Sequence, residues 1–194
     1  MTATKQPPHP NWALHRLFGF TTTPRFLLFA LSATATLVFS IARLPYIDID
    51  NVFCGTLNRA APGECYLFRS GTPRAAMFLH LAAIIPAAML ACLQFVPAIR
   101  RKWILFHRLN GYVVFALSLP GAIGAMMIGR YSMGGSPNVQ LAAYLISVMF
   151  IVSVAKAQIG IKSGRIDQHR AWMLRAWFYV RSPAFGLTDT RAYS

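Results

Sequence analysis

The stretch "ILFHRLNGYVVFALSLPGAIGAMMIG", residues 104–129, decides the fold class of this protein. A run of about 20 predominantly apolar residues is long enough to cross a bilayer as one helix. The stretch begins with His107 and Arg108, two polar residues at the point where an apolar helix would enter from water. His107 is therefore either an interface group or a ligand or proton carrier.

Three more apolar runs approach or reach the same length, and together with residues 106–129 they predict four full spans. They are "FLLFALSATATLVFSIA" at 26–42, "MFLHLAAIIPAAMLACLQFVP" at 77–97 and "VQLAAYLISVMFIVSVAKAQIG" at 139–160. A fifth run, "AWMLRAWFYV" at 171–180, is too short to span, so it predicts a partial helix that is interfacial, re-entrant or truncated. The sequence thus predicts an all-α integral membrane helical bundle.

The composition indicates that most of the surface faces lipid. Of the 194 residues, 56% are apolar and only 12% are charged, whereas a soluble domain carries about 25% charged residues. The mean hydropathy is +0.46. We therefore predict a transmembrane helical domain over residues 26–181, between a basic tail at 1–25 and a polar tail at 182–194. The first tail has no apolar stretch long enough for a signal peptide.

The chain is strongly basic, with a net charge of +14 from 19 Lys and Arg residues against 5 acids. These cations lie between the apolar runs, not in a stripe with aromatic residues, so they indicate topology and anionic-lipid contact and argue against nucleic-acid binding. Cations precede the first span, separate the second span from the third and follow the fourth. This distribution predicts a cytosolic N-terminus in the plasma membrane or an endomembrane, with the loop at 43–76 on the non-cytosolic side.

That loop contains two of the three cysteines, Cys54 and Cys65. On a lumenal or extracellular side the pair can form a disulfide, and the alternative is two free thiols. Cys92 lies within the second span, where we expect it to pack as a small residue. The Cys and His spacing is not that of a zinc site, so we predict no metal site.

Histidines inside a bilayer are costly and need a reason. His80, near the non-cytosolic end of the second span, is either a hydrogen-bonding group between helices or an axial haem ligand or proton carrier. His107 lies at the opposite end and begins a stripe of small residues, which would admit a neighbouring helix or a flat macrocycle. The members of that stripe are Gly111, Ser118, Gly121 and Ala125.

The segment "RIDQHRAWMLRAW", residues 165–177, adds His169, which the predicted topology places on the same side as His107. The two histidines could hold one haem b, share a site whose arginines bind a carboxylate or phosphate, or contact lipid headgroups. Candidate catalytic residues are His107, His169, Arg170 and Arg175, and candidate haem ligands are His80, His107 and His169. Soluble hydrolase, kinase and dinucleotide-oxidoreductase functions have no support, because no Ser-His-Asp order, P-loop, GxGxxG or HExxH motif is present.

The order of these motifs is that of a known family. "FLHLAAIIPAAMLACLQFVPAIRRKWILFHRLNGY" (78–112), a Gly-containing third span and "DQHRAWMLRAW" (167–177) together resemble predicted multi-pass membrane proteins of unknown function, domain of unknown function 2306. The resemblance covers residues 30–180, and the Cys-containing loop looks like that of the fungal branch. It implies an integral membrane protein encoded beside biosynthetic genes. The residues that carry it are His80, Gln94, Arg100 or Arg101, His107, Arg108, Gly111, Tyr112, His169, Arg170, Trp172, Met173 and Arg175.

Three functions follow as alternatives. The protein is an accessory or catalytic component of a biosynthetic pathway, a haem-binding membrane oxidoreductase, or a non-enzymatic binder or transporter of a small anionic or lipidic ligand. The expected partners are the lipid bilayer and a small-molecule or lipidic substrate. Relatives of this kind usually continue past "HRAWMLR" as a full apolar helix, whereas "YVRSPAFGLTDTRAYS" (179–194) turns polar, as a truncated gene model would.

Overall fold

A computed structural model describes residues 12–55, 64–132 and 136–186 of the chain. Within these ranges the regular elements are helices, and no β-strand occurs. The predicted all-α class is therefore confirmed. The first part of the predicted N-terminal tail and the end of the predicted C-terminal tail, residues 1–11 and 187–194, lie outside the described residues.

The first part of the chain forms a short and a long helix. Helix α1 covers Trp12–Leu17 and α2 covers Thr23–Arg43. Pro24 lies in the first turn of α2, where its missing N–H has no intrahelical partner to lose. Leu27, Leu28 and other leucines of α2 are exposed, as expected for side chains that face lipid tails.

The middle of the chain holds two long apolar helices. A 3₁₀ turn and a π turn lead from α2 to the short helix α3, Glu64–Phe68, and then to α4, Gly71–Gln94. The short helix α5, Pro97–Lys102, separates α4 from α6, Ile104–Ile128. Pro86 and Pro120 lie inside α4 and α6, which membrane helices tolerate because neighbouring groups satisfy the freed carbonyls.

The last two helices form a hairpin. Helix α7 covers Pro137–Lys162 and begins at Ser136, whose hydroxyl accepts from the Val139 amide at 3.4 Å. Helix α8 covers Ile166–Gly186, so it extends beyond the predicted 171–180 segment at both ends. It also continues past residue 182, where we expected the polar tail to begin.

Among the described residues, four helices are long and apolar enough to cross a bilayer, which agrees with the predicted four-span class. They are Thr23–Ile47 (α2 with its 3₁₀ extension), Gly71–Gln94, Ile104–Ile128 and Pro137–Lys162. At a rise of 1.5 Å per residue, each covers the roughly 30 Å thickness of the hydrocarbon core.

The chain divides into two compact units. The first contains the residues up to Leu44 together with Ile85–Ala116, and the second contains Pro45–Ile84 and the residues from Leu117 onward. Helices α4 and α6 therefore contribute one half to each unit. The buried core of the first unit includes Ala91, Cys92, Val96 and Val114, and that of the second includes Phe53, Phe68, Phe150, Val154, Ala157 and Ala176.

Candidate functional site

The turn between α7 and α8 is a Schellman motif. Gly164 has φ +71, a left-handed conformation that favours glycine. Its amide donates to the Ile161 carbonyl at 3.1 Å, and the Arg165 amide donates to the Gly160 carbonyl at 2.8 Å. These two bonds satisfy the last carbonyls of α7, reverse the chain and place Arg165 at the start of α8.

The backbones of α7 and α8 approach closely at Gly160 and His169. A Cβ added at Gly160 would lie 3.2 Å from the His169 amide nitrogen. The imidazole of His169 crosses to α7, where Nδ1 donates to the Ala157 carbonyl at 3.0 Å. Because a carbonyl oxygen only accepts, Nδ1 carries the proton, and in the neutral ring the lone pair is on Nε2.

Trp172 holds two cations on its indole ring. The Lys156 ammonium of α7 lies 4.7 Å from the ring centroid, and the Arg175 guanidinium of α8 lies 4.5 Å from it. Both distances are within the range at which the ring quadrupole attracts a cation. The indole therefore fixes the position of a lysine and an arginine without neutralising their charges.

A cavity of about 260 Å³ opens beside this aromatic residue, at the α7–α8 turn. We call it the turn cavity, and its lining residues are Lys156, Ile159, Gly160, Arg165, Gln168 and Trp172. Two of the six are cations and none is an acid. Ligand pockets for drug-sized molecules start at about 300 Å³, so by volume and charge the turn cavity suits a small anionic group.

Asp167, the one acid in the sequence of α8, does not line the turn cavity. Asp167 has a fully exposed side chain and lies 3.6 Å from the Arg170 guanidinium. Arg170 and Arg175, two of the predicted site residues, are thus engaged by Asp167 and Trp172 respectively. The sequence prediction missed Lys156 and Gln168 as site residues, although a lysine within the last turns of an apolar span was a usable signal.

His80 makes a separate set of contacts in the second unit. Its Nδ1 donates to the Gly121 carbonyl of α6 at 2.7 Å, which is one of the two functions predicted for it. A Cβ added at Gly124 would lie 2.8 Å from the His80 amide nitrogen and 2.9 Å from its Cβ. At Gly121 and Gly124 the small residues therefore allow close packing of α4 against α6.

His107 lies in the first unit, where polar groups join α4 to α6. The Gln94 amide donates to the His107 carbonyl at 3.1 Å, and the Asn110 amide donates to the Leu90 carbonyl at 3.0 Å. A Cβ at Gly111 would lie 3.6 Å from the Gln94 side-chain oxygen. Three residues of the "HRLNGY" segment thus take part in helix packing, and Asn110, which is buried, was not singled out from the sequence.

His107 and His169 belong to different units, so a shared site of these two histidines stays a prediction. Within the described residues, no group of three or more His, Cys, Asp or Glu side chains is placed to hold a metal ion. The turn cavity is the site at which the structure brings predicted and unpredicted residues together.

The loop between α2 and α4 carries a disulfide and an ion pair. Cys54 and Cys65 are disulfide-bonded, with their Cα atoms 5.3 Å apart. Asp50 accepts two bonds of 2.7 Å from the Arg74 guanidinium, and these hydrogen bonds lower the pKa of the Asp50 carboxyl. The Asn51 side chain and amide likewise lower the pKa of Asp48.

Within the part of the chain that the structure describes, four helices are long and apolar enough to cross a bilayer, which defines a multi-pass integral membrane protein. The chain belongs to the family described as "Predicted membrane protein (DUF2306)", which matches residues 77–186, more than half of the sequence. That match contains α6, α7, α8 and most of α4, and so the whole turn cavity. Comparisons with curated proteins and with solved structures give no match.

Proposed function

We propose that this membrane protein binds the anionic group of an amphiphilic molecule in the turn cavity. The observation that carries the proposal is the cavity lining, in which Lys156, Arg165 and Gln168 offer hydrogen-bond donors and no carboxylate competes for them. Charge-assisted bonds from lysine and arginine are the usual way in which proteins hold carboxylates and phosphates. A transport or biosynthetic role for the protein would begin from this bound anion.

An amphiphile fits better than a fully soluble anion because apolar side chains surround the cavity. Ile159 lines it and is exposed, and Ile161 and Ile166 are exposed on either side of the turn. The anionic group would lie among the cations, and its apolar tail would follow α7 along the surface that faces lipid. Cations near the end of a span are also where anionic headgroups concentrate.

Retention of lipid by the purified protein tests the proposal. We would purify the full chain in a neutral detergent, add phosphatidylserine or phosphatidylcholine, and count bound lipids by native mass spectrometry. The expected result is preferential retention of phosphatidylserine, which Lys156→Gln and Arg165→Gln each reduce by about tenfold because each removes a charge-assisted contact.

Lys162→Gln is the matched control. Lys162 is on the same helix and carries the same charge, but it does not line the turn cavity. Its replacement should leave retention of phosphatidylserine unchanged. Equal losses in Lys156→Gln and Lys162→Gln, or equal retention of phosphatidylcholine, would show nonspecific attraction and overturn the proposal.

A haem-binding oxidoreductase is the second candidate. The observation that favours it is that His80 and His169 each donate Nδ1–H to a backbone carbonyl, which leaves Nε2 as the ligating atom, as in most metal-bound histidines. The test of the haem candidate is to express the protein in haem-replete cells and record visible spectra of the oxidised and the dithionite-reduced protein. A stoichiometric Soret band that His80→Ala or His169→Ala abolishes would support haem, and a colourless folded protein would exclude it.

A further inference from the structure

We infer that the turn cavity selects a phosphate monoester and that Trp172 positions Lys156 for it; this inference rests on the proposed function. The three anionic groups common in amphiphiles differ in charge and in the number of free oxygens. A carboxylate and a phosphodiester each carry one charge, whereas a phosphate monoester carries about −1.5 to −2 and has three free oxygens.

The donors around the cavity match the monoester. The Lys156 ammonium has three N–H bonds, the Arg165 guanidinium has five, and the Gln168 amide has two. They come from α7, from the turn and from the first turn of α8, so they approach a ligand from three parts of the chain. A tetrahedral group with three free oxygens can bond to all three donors, whereas a planar carboxylate has only two oxygens.

The charge balance favours the same ligand. Lys156 and Arg165 contribute two positive charges to the lining, and Arg175 lies against Trp172, which lines the cavity too. Among the described residues of α7 and α8 the one acid is Asp167, and it pairs with Arg170. A monoanion would leave at least one lining cation without a counter-charge, whereas a dianion would neutralise both.

Trp172 is a positioning residue in this arrangement. A lysine side chain has a flexible four-carbon stem and no fixed direction. The indole, however, holds the Lys156 ammonium 4.7 Å from its ring centroid. Lys156 is the binding residue, since its N–H groups reach the anion. Replacement of Trp172 by leucine should therefore weaken phosphate binding although it removes no charge, and phenylalanine, which retains an aromatic face, should preserve part of the binding.

The experiment compares four probes on the full chain in neutral detergent, by native mass spectrometry. Phosphatidic acid is the monoester lipid, phosphatidylglycerol the diester lipid, oleic acid the carboxylate, and glycerol 3-phosphate the soluble monoester, added as a competitor. The expected result is an affinity for phosphatidic acid about tenfold above that for phosphatidylglycerol and oleic acid. Lys156→Gln should abolish this preference, Trp172→Leu should reduce it more than Trp172→Phe, and Lys162→Gln should leave it unchanged.

The outcomes separate the two proposals. If all three anionic amphiphiles bind equally and Lys156→Gln weakens them equally, the proposed function stands and the phosphate inference is overturned. If none binds, both are overturned. A preference unchanged in Trp172→Leu excludes the positioning role. If phosphate selectivity is found, the competitor distinguishes the source of the phosphate. Competition by glycerol 3-phosphate at concentrations similar to those of phosphatidic acid identifies a soluble phosphate ester as the ligand. Failure of glycerol 3-phosphate to compete identifies a lipid headgroup.

Discussion

The Arg165 amide donates to the carbonyl oxygen of Gly160 at 2.8 Å, and this bond closes the turn that shapes the cavity. Both residues line that cavity. The turn geometry therefore fixes the backbone position of Arg165. Gly164, which lies between them, allows this turn because it adopts the left-handed conformation at φ +71.

Replacement of Gly164 by alanine should destabilise the hairpin by about 1–2 kcal/mol, because a Cβ is disfavoured at this φ. Crowding is not the cause, since no atom lies within 4 Å of the added Cβ. Gly164→Asn should cost less, because asparagine tolerates the left-handed region. The measurement is the free energy of unfolding in mixed micelles. Equal stability of the alanine variant and the wild type would contradict the Schellman geometry.

Replacement of Gly124 by alanine should destabilise the protein, whereas the same change at Gly121 should be nearly neutral. A Cβ at Gly124 meets the His80 amide nitrogen at 2.8 Å and the Ala76 carbonyl at 3.0 Å, but one at Gly121 meets its nearest atoms at 3.4 Å. Overpacking of a tight contact costs about 1–3 kcal/mol. Both changes gain the same helix propensity, so the difference between their unfolding free energies isolates the contact. A difference near zero between the two variants would refute the tight contact at Gly124.

Replacement of His80 by alanine removes the bond from Nδ1 to the Gly121 carbonyl. Hydrogen bonds between membrane helices average about 0.6 kcal/mol and reach about 1.7 kcal/mol, so a loss of that size is expected. His80→Asn keeps an N–H near the position of Nδ1 and should restore most of the stability. The same unfolding assay checks both variants, and an asparagine variant no better than alanine would assign the effect to packing.

Thiol counting tests the disulfide of Cys54 and Cys65. Of the three cysteines in the sequence, only Cys92 takes no part in the disulfide. Unfolded, unreduced protein should therefore bind one equivalent of an alkylating reagent, and reduced protein three. Loss of the bridge in Cys54→Ser should cost about 2–4 kcal/mol, whereas Cys92→Ala leaves it intact. Three reactive thiols before reduction would disprove the bridge.

Stability should depend on pH through Asp50. Hydrogen bonds from Arg74 lower the pKa of the Asp50 carboxyl below its usual 3.8, so the charged form is favoured in the folded state. The resulting stabilisation is fully present above the ordinary pKa and is lost as pH falls through the lowered pKa. Melting temperatures of the wild type and Asp50→Asn should differ by a constant amount above about pH 5 and converge below about pH 4.

This effect should be modest, because both side chains are largely exposed and salt screens the pair. Raising the salt concentration at neutral pH should therefore reduce the difference between the wild type and Asp50→Asn. A difference that grows as the solution is acidified would have the wrong sign for a carboxyl whose pKa is lowered.

The helices were predictable because span length and apolar composition are local properties, as the run at 139–160 within α7 shows. The extent of α8 was not. The segment after residue 180 contains Arg181 and Pro183, which predict the end of the helix. The helix nevertheless continues to Gly186. A proline removes one backbone donor but does not by itself end a membrane-protein helix.

The turn cavity could not be predicted, because its residues meet only through tertiary structure. Lys156 and Trp172 lie on successive helices, and they come together because Gly160 allows the close approach and Gly164 reverses the chain. The partner of His80 is a backbone carbonyl, which no residue type signals. The sequence did identify His169, Arg170 and Arg175 as candidates, since cations beside a membrane histidine are rare enough to notice.

The arginines of α8 affect how this helix enters the membrane during synthesis. With 21 residues, α8 is about as long as a bilayer is thick, but Arg170 and Arg175 would each cost about 2.5–3.5 kcal/mol if a translocon inserted this helix into lipid by itself. A turn of residues 163–165 joins α8 to α7, so α8 can instead pack against α7, which is synthesised immediately before it. The final pair of helices is therefore expected to enter the membrane as one unit, with α7 as the anchor for α8.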